Sequence, residues 1–411
     1  MAGIAEGRLL AAWQFSQMPR VLFVTYYYPP SGGPGVQRSL KFTKYLPEFG
    51  WTPDVLTVRP EHASYPDLDP DLGSDIRPDI HVERTSAWDP YAMYARVLGR
   101  EKKDVVSVGF LGEAHMNARQ RAARWIRANL FLPDARVGWV PYAVARGHRL
   151  LRERDHDVIL TTGPPHSTHL VGLMLSALHK KPWLVDFRDP WTEIDYYAEL
   201  PMSSLAQSAD AALERLVLRR ATAGTVVSET MRRQLLRTAK LRLEVIENGF
   251  DPADFQGLRA VPPAGRFEIA HIGNLNAARN PTALWRALSV LRNKVPELRV
   301  VMIGNVEPAV LKTAAAYGLD DLIENLPYVP HDAAIRRMMQ STLLLLSINR
   351  VKGAGGIVTG KAYEYVASGR PVLGIGPVDG DAARVLRDSG AGEMFDFDDS
   401  EGISRFIRSA Y

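Results

Sequence analysis

The chain switches repeatedly between two hydrophobic patterns. Short, nearly continuous apolar runs rich in β-branched residues recur along it, as expected of parallel strands covered on both faces. "RVLFVTYYY" (20–28), "DVLTV" (54–58), "DVILTTG" (157–163), "PWLVDFRD" (182–189) and "GTVVS" (224–228) form the first set. Stretches with helical spacing separate them, at 36–49, 117–130, 140–153, 167–179 and 203–220. A loop-rich stretch without helical period, "ENGFDPADFQGLRAVPPAG" (247–265), then interrupts the pattern and reads as a connection between domains. The alternation restarts, with strands predicted at 267–274, 298–305, 343–348, 371–376 and 392–397. Helices are predicted at 281–293, 307–317, 331–340, 360–368 and 380–389.

This βαβ alternation, run twice, predicts an α/β chain of two Rossmann-like, doubly wound domains at 18–250 and 266–411, with a linker at 251–265. Ligands of such sheets bind outside the carboxyl ends of the strands, so the expected site is a cleft where the two domains face each other. Residues 1–17 lack both the basic segment and the long apolar core of a signal peptide. Met18 stands directly before the first strand, and the residues ahead of it read as a loose N-terminal extension or as an over-called start.

Composition changes this picture little. Hydrophobic residues make up 46% and charged residues 23% of 411, the balance of a soluble globular protein of two or three domains. Fifty basic residues are offset by 46 acidic ones, for a net charge of +4, which does not imply a nucleic-acid partner. There is no cysteine, which excludes disulfides, Cys-based metal sites and Cys nucleophiles and fits a cytoplasmic protein. No run approaches the roughly 18 apolar residues of a membrane span. The P-loop, H-E-x-x-H and G-x-S-x-G motifs are missing. A D-x-D match in "DLDPDL" (67–72) lies in a polar, Pro-containing loop and is not read as a metal site.

Three stretches carry candidate chemistry. In "GAGGIVTGKAYEYVASGRPVLGIGP" (353–377), four glycines in eight residues free the backbone ahead of a helix that Thr359 would cap. Free N–H groups at such a helix start attract anions, and Lys361 adds a full charge. Glu364 would accept hydrogen bonds from two hydroxyls, as a ribose presents them. The plainer alternative makes Glu364 a partner of the helix dipole. "YYYPPSGGPGVQRSLKF" (26–42) follows the first strand, and Gly32, Gly33 and Gly35 would let backbone approach a pyrophosphate, although the spacing is not G-x-G-x-x-G. In "HIGNLNAARNPTALWRAL" (271–288) a strand ends at Gly273, Asn280 and Pro281 would start a helix, and Arg279 stands beside it to neutralise a diphosphate.

With "DFRDPW", "VIENGFDPADF", "LPYVPHDAAI" and "GKAYEYVASGRPVL", these stretches resemble the retaining GT-B glycosyltransferases of the family 4 type, from residue 20 to about 398. The resemblance implies a C-terminal domain that holds a nucleotide-diphosphate sugar and an N-terminal domain that holds the acceptor, with no cofactor and no metal. Carried over by motif, Glu364 would bind the ribose, and the backbone of Val358, Thr359, Gly360 and Lys361 would hold the diphosphate. Arg279 would replace a phosphate-binding lysine, while Gly273 and Asn274 end the strand beneath. Tyr328, Val329 and His331 would border the nucleobase, and Gly32 and Gly33 would approach the phosphates from the other domain. Arg279 and Lys361 would stabilise the leaving group. Asp186, Arg188 and Asp189 cluster at a strand end, Asp186 as an acceptor-side candidate and Arg188 and Asp189 as catalytic-site candidates. Arg188 stands near the family's histidine position and would hydrogen-bond sugar or phosphate. His166 would face the acceptor, whereas His169 reads as a core or surface residue.

The chain departs from the family pattern in three places. A family glutamate eight residues before the ribose-binding one is Gly356 here. An arginine directly after the strand glycine is Asn274. The family's terminal helix that crosses back to the first domain is expected to be truncated or absent here, since Tyr411 follows soon after "EGISRFIRS". A nucleotide-sugar epimerase and an inactive glycan-binding partner subunit are the competing functional readings. Finally, "NARQRAARWIRANLFLPDARVGW" (117–139) interleaves five arginines with Trp125, Phe131 and Trp139. It reads as a basic amphipathic helix that would rest on anionic lipid at the inner face of a membrane, or as a helix with one solvated basic face.

Overall fold

The computed structural model describes residues 18–65, 68–88, 118–194, 197–261, 264–295 and 297–411. The expected extension at 1–17 lies outside the described residues. Two compact units emerge: the first runs up to Val227 and resumes at Met231–Ile246, and the second comprises Ser228–Thr230 and Glu247–Tyr411.

The first unit is a seven-stranded sheet built from β1 (Arg20–Val24), β2 (Thr52–Val58), β3 (His81–Thr85), β4 (Val158–Gly163), β5 (Trp183–Phe187), β6 (Ala223–Val226) and β7 (Leu243–Val245). Its order is β3-β2-β1-β4-β5-β6-β7, and every pairing is parallel. The second unit has β8 (Phe267–Ile272), β9 (Leu298–Ile303), β10 (Ile323–Leu326), β11 (Leu343–Ser347), β12 (Val372–Ile375) and β13 (Gly392–Phe395). Its order is β10-β9-β8-β11-β12-β13, again wholly parallel. Both units are therefore Rossmann-like, and each has a switch point where the winding reverses, at β1/β4 and at β8/β11.

The strands are buried because both faces are covered. In β8, Phe267 and Ile269 join one apolar cluster with Trp285, Leu288 and Ile403, while Ala270 and Ile272 join another with Ile335, Tyr365 and Leu386. That two-residue alternation between layers is the pleat of a strand. Besides the terminal helix Ser400–Ala410, the sequence pattern missed three strands and one helix: β3, β7, β10 and the helix Glu229–Thr238. The three strands sit at sheet edges and are polar or very short (HVERT, LEV, IENL), so they lack a continuous apolar run. The helix buries little beyond Met231 and Leu235. The expected first strand at 20–28 stops at Val24, and Tyr26 and Tyr28 turn inward to fill the core instead.

The stretch expected to be a linker is not a bare connection, because Phe255 and Leu258 pack against the second unit's core. The helix Ser400–Ala410 buries Ile403 and Ile407 in that same unit. Among the described residues no helix is long and apolar enough to cross a membrane.

Candidate functional site

The second unit gathers its unusual chemistry at the carboxyl end of β8, next to the switch point. Gly273 follows the strand with φ 116°, a conformation that strains any residue with a Cβ. The chain then forms a short 3₁₀ turn, Ala277–Arg279, held by the Asn276 side chain, which accepts from the Arg279 N–H at 3.1 Å. The Arg279 guanidinium donates to Asn349 Oδ1, and its main-chain carbonyl accepts from Ser347 Oγ at 2.7 Å. Both partners belong to the end of β11. The sheet order, not proximity in sequence, therefore fixes Arg279.

The helix Gly360–Ala367 starts beside this turn. Thr359 occupies the N-cap position with extended backbone, but its side chain makes no capping bond, contrary to expectation. Its Oγ1 is buried without a hydrogen-bond partner among the described residues. Lys361 runs directly past Gly273: a Cβ built there would lie 2.5 Å from Lys361 Nζ. Burial, reinforced by the Arg279 charge, pushes the Lys361 ammonium down to about 7, while Glu364 pulls weakly the other way. Among the described residues no carboxylate stands within ion-pair distance of Lys361. Two cations close enough for one to act on the other, with Lys361 buried and lacking a carboxylate within ion-pair distance among the described residues, form a place that an anion would stabilise.

Glu364 sits one turn further along the helix, with His331 Nδ1 at 3.9 Å from its carboxylate. The other ring nitrogen of His331 meets Asp254 at 3.2 Å. Tyr328 is exposed nearby in sequence, just ahead of the helix His331–Gln340. Asn280 does not start the next helix. Its side-chain oxygen accepts from Trp285 Nε1 at 2.8 Å and its side-chain amide donates to Thr313 at 2.8 Å, leaving Pro281 as the cap of Thr282–Leu291.

Two residues escaped the sequence reading. Asn349 holds Arg279 although the two are far apart in the chain. Its signal was its position, two residues beyond a buried strand at the switch point. His271 is buried within β8, with its ring Nδ1 bound to the Leu345 carbonyl at 3.0 Å. Burial, then the Lys361 charge, pushes it down to about 3, so it stays neutral. A histidine inside an otherwise apolar strand was its signal.

The first unit treats its expected site residues differently. Asp186 was expected to reach an acceptor, yet it is 1% exposed. It accepts from Arg38 Nη2 at 2.8 Å, Thr162 Oγ1 at 2.7 Å and Thr225 Oγ1 at 2.6 Å, so it braces the sheet against the helix Pro34–Tyr45. Arg188 was expected to bind sugar or phosphate. Its guanidinium instead donates to the main-chain carbonyls of Gly35, Gly163 and Pro164, tying the glycine loop to the end of β4. Asp189 is exposed beside it. Gly33, at φ 83°, caps Pro34–Tyr45, and Gly32 is buried against Asp69. Asp69, from the D-x-D match, accepts from the Asp71 N–H at 3.2 Å as a turn cap, and Asp67 lies outside the described residues.

His166 ends the β4 loop, stacked on Trp191 at 4.9 Å and 6°. Burial pushes it down to about 3, aided by Arg188 and opposed by the Pro190 carbonyl. Its Nδ1 has no hydrogen-bond partner among the described residues, which leaves a neutral imidazole at the strand end. His169 is a core residue, bonded to Thr161 Oγ1 at 2.9 Å.

Comparison with known proteins converges with this architecture. The family described as glycosyl transferase 4-like domain matches residues 32–249, more than half of the chain. Among curated proteins none matches by sequence. Solved structures are similar in fold at low identity. A sucrose-phosphate synthase from Thermosynechococcus elongatus shares 14% identity, with a TM-score of 0.60 over 95% of this chain and 89% of its own. Anabaena HepE, solved with UDP, shares 15% identity, with a TM-score of 0.58 over 95% and 89%. A mutant of S. aureus TarM, solved with fondaparinux, α-GlcNAc-glycerol and UDP, shares 10% identity, with a TM-score of 0.58 over 96% and 92%. Two wholly parallel Rossmann-like units, a family match through most of the first and this set of neighbours lead to one conclusion: the chain belongs to the glycosyl transferase 4-like family and is a glycosyltransferase of the GT-B fold.

Proposed function

We propose that this enzyme takes a sugar from a nucleotide-diphosphate donor and delivers it, with retention and without a metal, to an acceptor hydroxyl during surface polysaccharide or glycolipid assembly in the cytoplasm. The observation that carries this reading is the buried Lys361 ammonium beside Arg279 at the start of Gly360–Ala367. The donor diphosphate supplies the missing negative charge. The unpartnered Thr359 Oγ1 and the amides of Val358–Lys361 donate to its oxygens, and Glu364 receives the ribose hydroxyls. His331, Val329 and Tyr328 border the base.

In the transfer, the bond from the anomeric carbon to the β-phosphate oxygen breaks and a bond to the acceptor oxygen forms on the same face. The acceptor proton passes to the departing phosphate oxygen, so the products are a glycoside and a nucleoside diphosphate. Lys361 and Arg279 stabilise the charge that grows on that leaving group, and this preorganised stabilisation is the main catalytic term. The first unit supplies the acceptor side, with His166 as a neutral hydrogen-bond acceptor and Asp189 as an exposed carboxylate. HepE and TarM were solved with UDP, which supports uridine nucleotides as the first donors to try.

A thermal-shift screen of UDP, GDP, dTDP and ADP sugars tests the reading. At least one is expected to raise Tm, and free nucleotide is expected only when an acceptor hydroxyl is present. No response to any of them rejects it. Glu364→Ala is expected to weaken binding of the responding nucleotide about tenfold, the worth of hydrogen bonds to a charged group. Unchanged affinity by calorimetry removes the ribose contact.

We also propose that the enzyme works on an anionic membrane surface. Of the expected stretch 117–139, Trp139 is not lipid-facing but fully buried in the core, whereas the helix Ala118–Leu130 buries none of its described side chains, and Trp125, Ile126 and Leu130 are 50%, 45% and 69% exposed. Its sequence holds four arginines and no acidic residue. Apolar rings and chains facing out between arginines suit the boundary of an anionic bilayer. The protein is expected to sediment with phosphatidylglycerol-containing vesicles and not with pure phosphatidylcholine. A Trp125→Ser/Ile126→Ser/Leu130→Ser variant should lose that binding with its Tm kept, and equal sedimentation of the two proteins would overturn the assignment.

A further inference from the structure

The sheet around β8 is incomplete at one point. β8 pairs with β9 through Ile272, but with β11 only at Ile269 and Ala270. The Ile272 N–H therefore meets no strand on the β11 side. It donates instead to the hydroxyl of Tyr365 at 3.0 Å. Tyr365 is fully buried in the middle of Gly360–Ala367, and burial raises its phenol well above the ordinary value, so the hydroxyl stays neutral. It lies four residues after Lys361, on the same face of the helix.

We infer that Tyr365 is a positioning residue for the donor site: its hydroxyl pins Gly360–Ala367 to the last amide of β8 and thereby holds the Lys361 ammonium against Gly273 and beside Arg279. The inference rests on the placement of that site proposed above. The charged and titratable groups that act on Lys361 are Arg279 and Glu364, and His271 feels its charge from within β8. Gly273 is the next residue after the pinned amide, so the hydrogen bond and the lysine meet the same bend of main chain. Without the bond the first turns of the helix would be free to lift, and Lys361 would regain water and separate from Arg279.

The test follows the Lys361 ammonium by NMR in ligand-free protein carrying ¹³C,¹⁵N-lysine, with Lys361→Met to assign the signal. In wild type the midpoint is expected near 7. In Tyr365→Phe it should rise by about one unit or more toward the ordinary lysine value. At a pH about one unit below the wild-type midpoint, where both proteins carry the ammonium, affinity for pyrophosphate should weaken about three- to tenfold, roughly the worth of one neutral hydrogen bond. A role in stability alone would lower Tm and leave the midpoint in place, and that result overturns the inference. Should Tyr365→Phe not fold, hydrogen exchange in the wild type decides: the Ile272 amide must be protected, and rapid exchange refutes the pin. The titration needs no donor, so failure of all nucleotide sugars to bind would sink the donor reading while leaving this one to be judged by the midpoint.

Discussion

Lys361→Ala is expected to lower kcat/KM about 100-fold or more, the usual cost of removing one preorganised donor from a developing oxyanion. The side chain contributes through its charge in a buried place, so its ionisation should appear in the pH dependence of the wild type. Burial and Arg279 hold it near 7, well under the ordinary lysine value. Below that pH the free protein carries the ammonium, and above it the group is neutral until an anion restores the proton. Donor affinity should therefore fall as pH rises from about 7 toward 9, and the alanine variant should lose that slope. Stability should move the opposite way. An unfolded chain binds this proton more tightly than the folded one, so charged Lys361 costs stability below about 7. That cost fades as pH climbs toward the unfolded value near 10.4. Isothermal titration and melting curves across this range check both signs. A flat donor affinity in wild type, or near-normal kcat/KM in the variant, would remove Lys361 from the catalytic role.

Asp186→Ala is expected to destabilise the first unit by about 3–5 kcal/mol, because it removes one partner of a buried ion pair with Arg38. Arg38 and Asp186 are 5% and 1% exposed at the side chain and meet at 2.8 Å. Burial alone would raise the Asp186 carboxyl. The Arg38 charge, with hydrogen bonds from Arg38, Thr225 and Thr162, overcomes this and holds it below the usual carboxylate range. Its contribution is thus present above the unfolded value of about 3.9 and is lost as pH falls through the lower folded value. Urea unfolding at neutral pH measures the loss. A change below about 1 kcal/mol, the size of an exposed pair, would show that Arg38 finds water and that the brace is dispensable.

The same aspartate shows where sequence reading ends. "DFRDPW" marked a strand terminus at the carboxyl edge of a sheet, and that part was legible from hydrophobic runs. Which way Asp186 points was not, because it depends on Arg38, which lies on a helix far away in the chain. Interior strands such as β8 and β11 were readable because cover on both faces demands uninterrupted apolar residues. The edge strands β3, β7 and β10 escaped for the converse reason. In the second unit, the glycines, Lys361 and Glu364 were legible as a loop that leads into a helix start, since all lie within one short stretch. The partnership of Arg279 with Asn349 did not, since only the β8/β11 switch brings them together.

Gly273 and Gly304 end adjacent strands, both with strongly positive φ, and a Cβ on Gly304 would stand 3.0 Å from the Gly273 carbonyl carbon. Beneath Lys361 the chain thus presents bare peptide groups packed on one another, with no side chain to vary. Under the proposed donor reading, preference for one base or one sugar has to be written in the side chains around this bare floor.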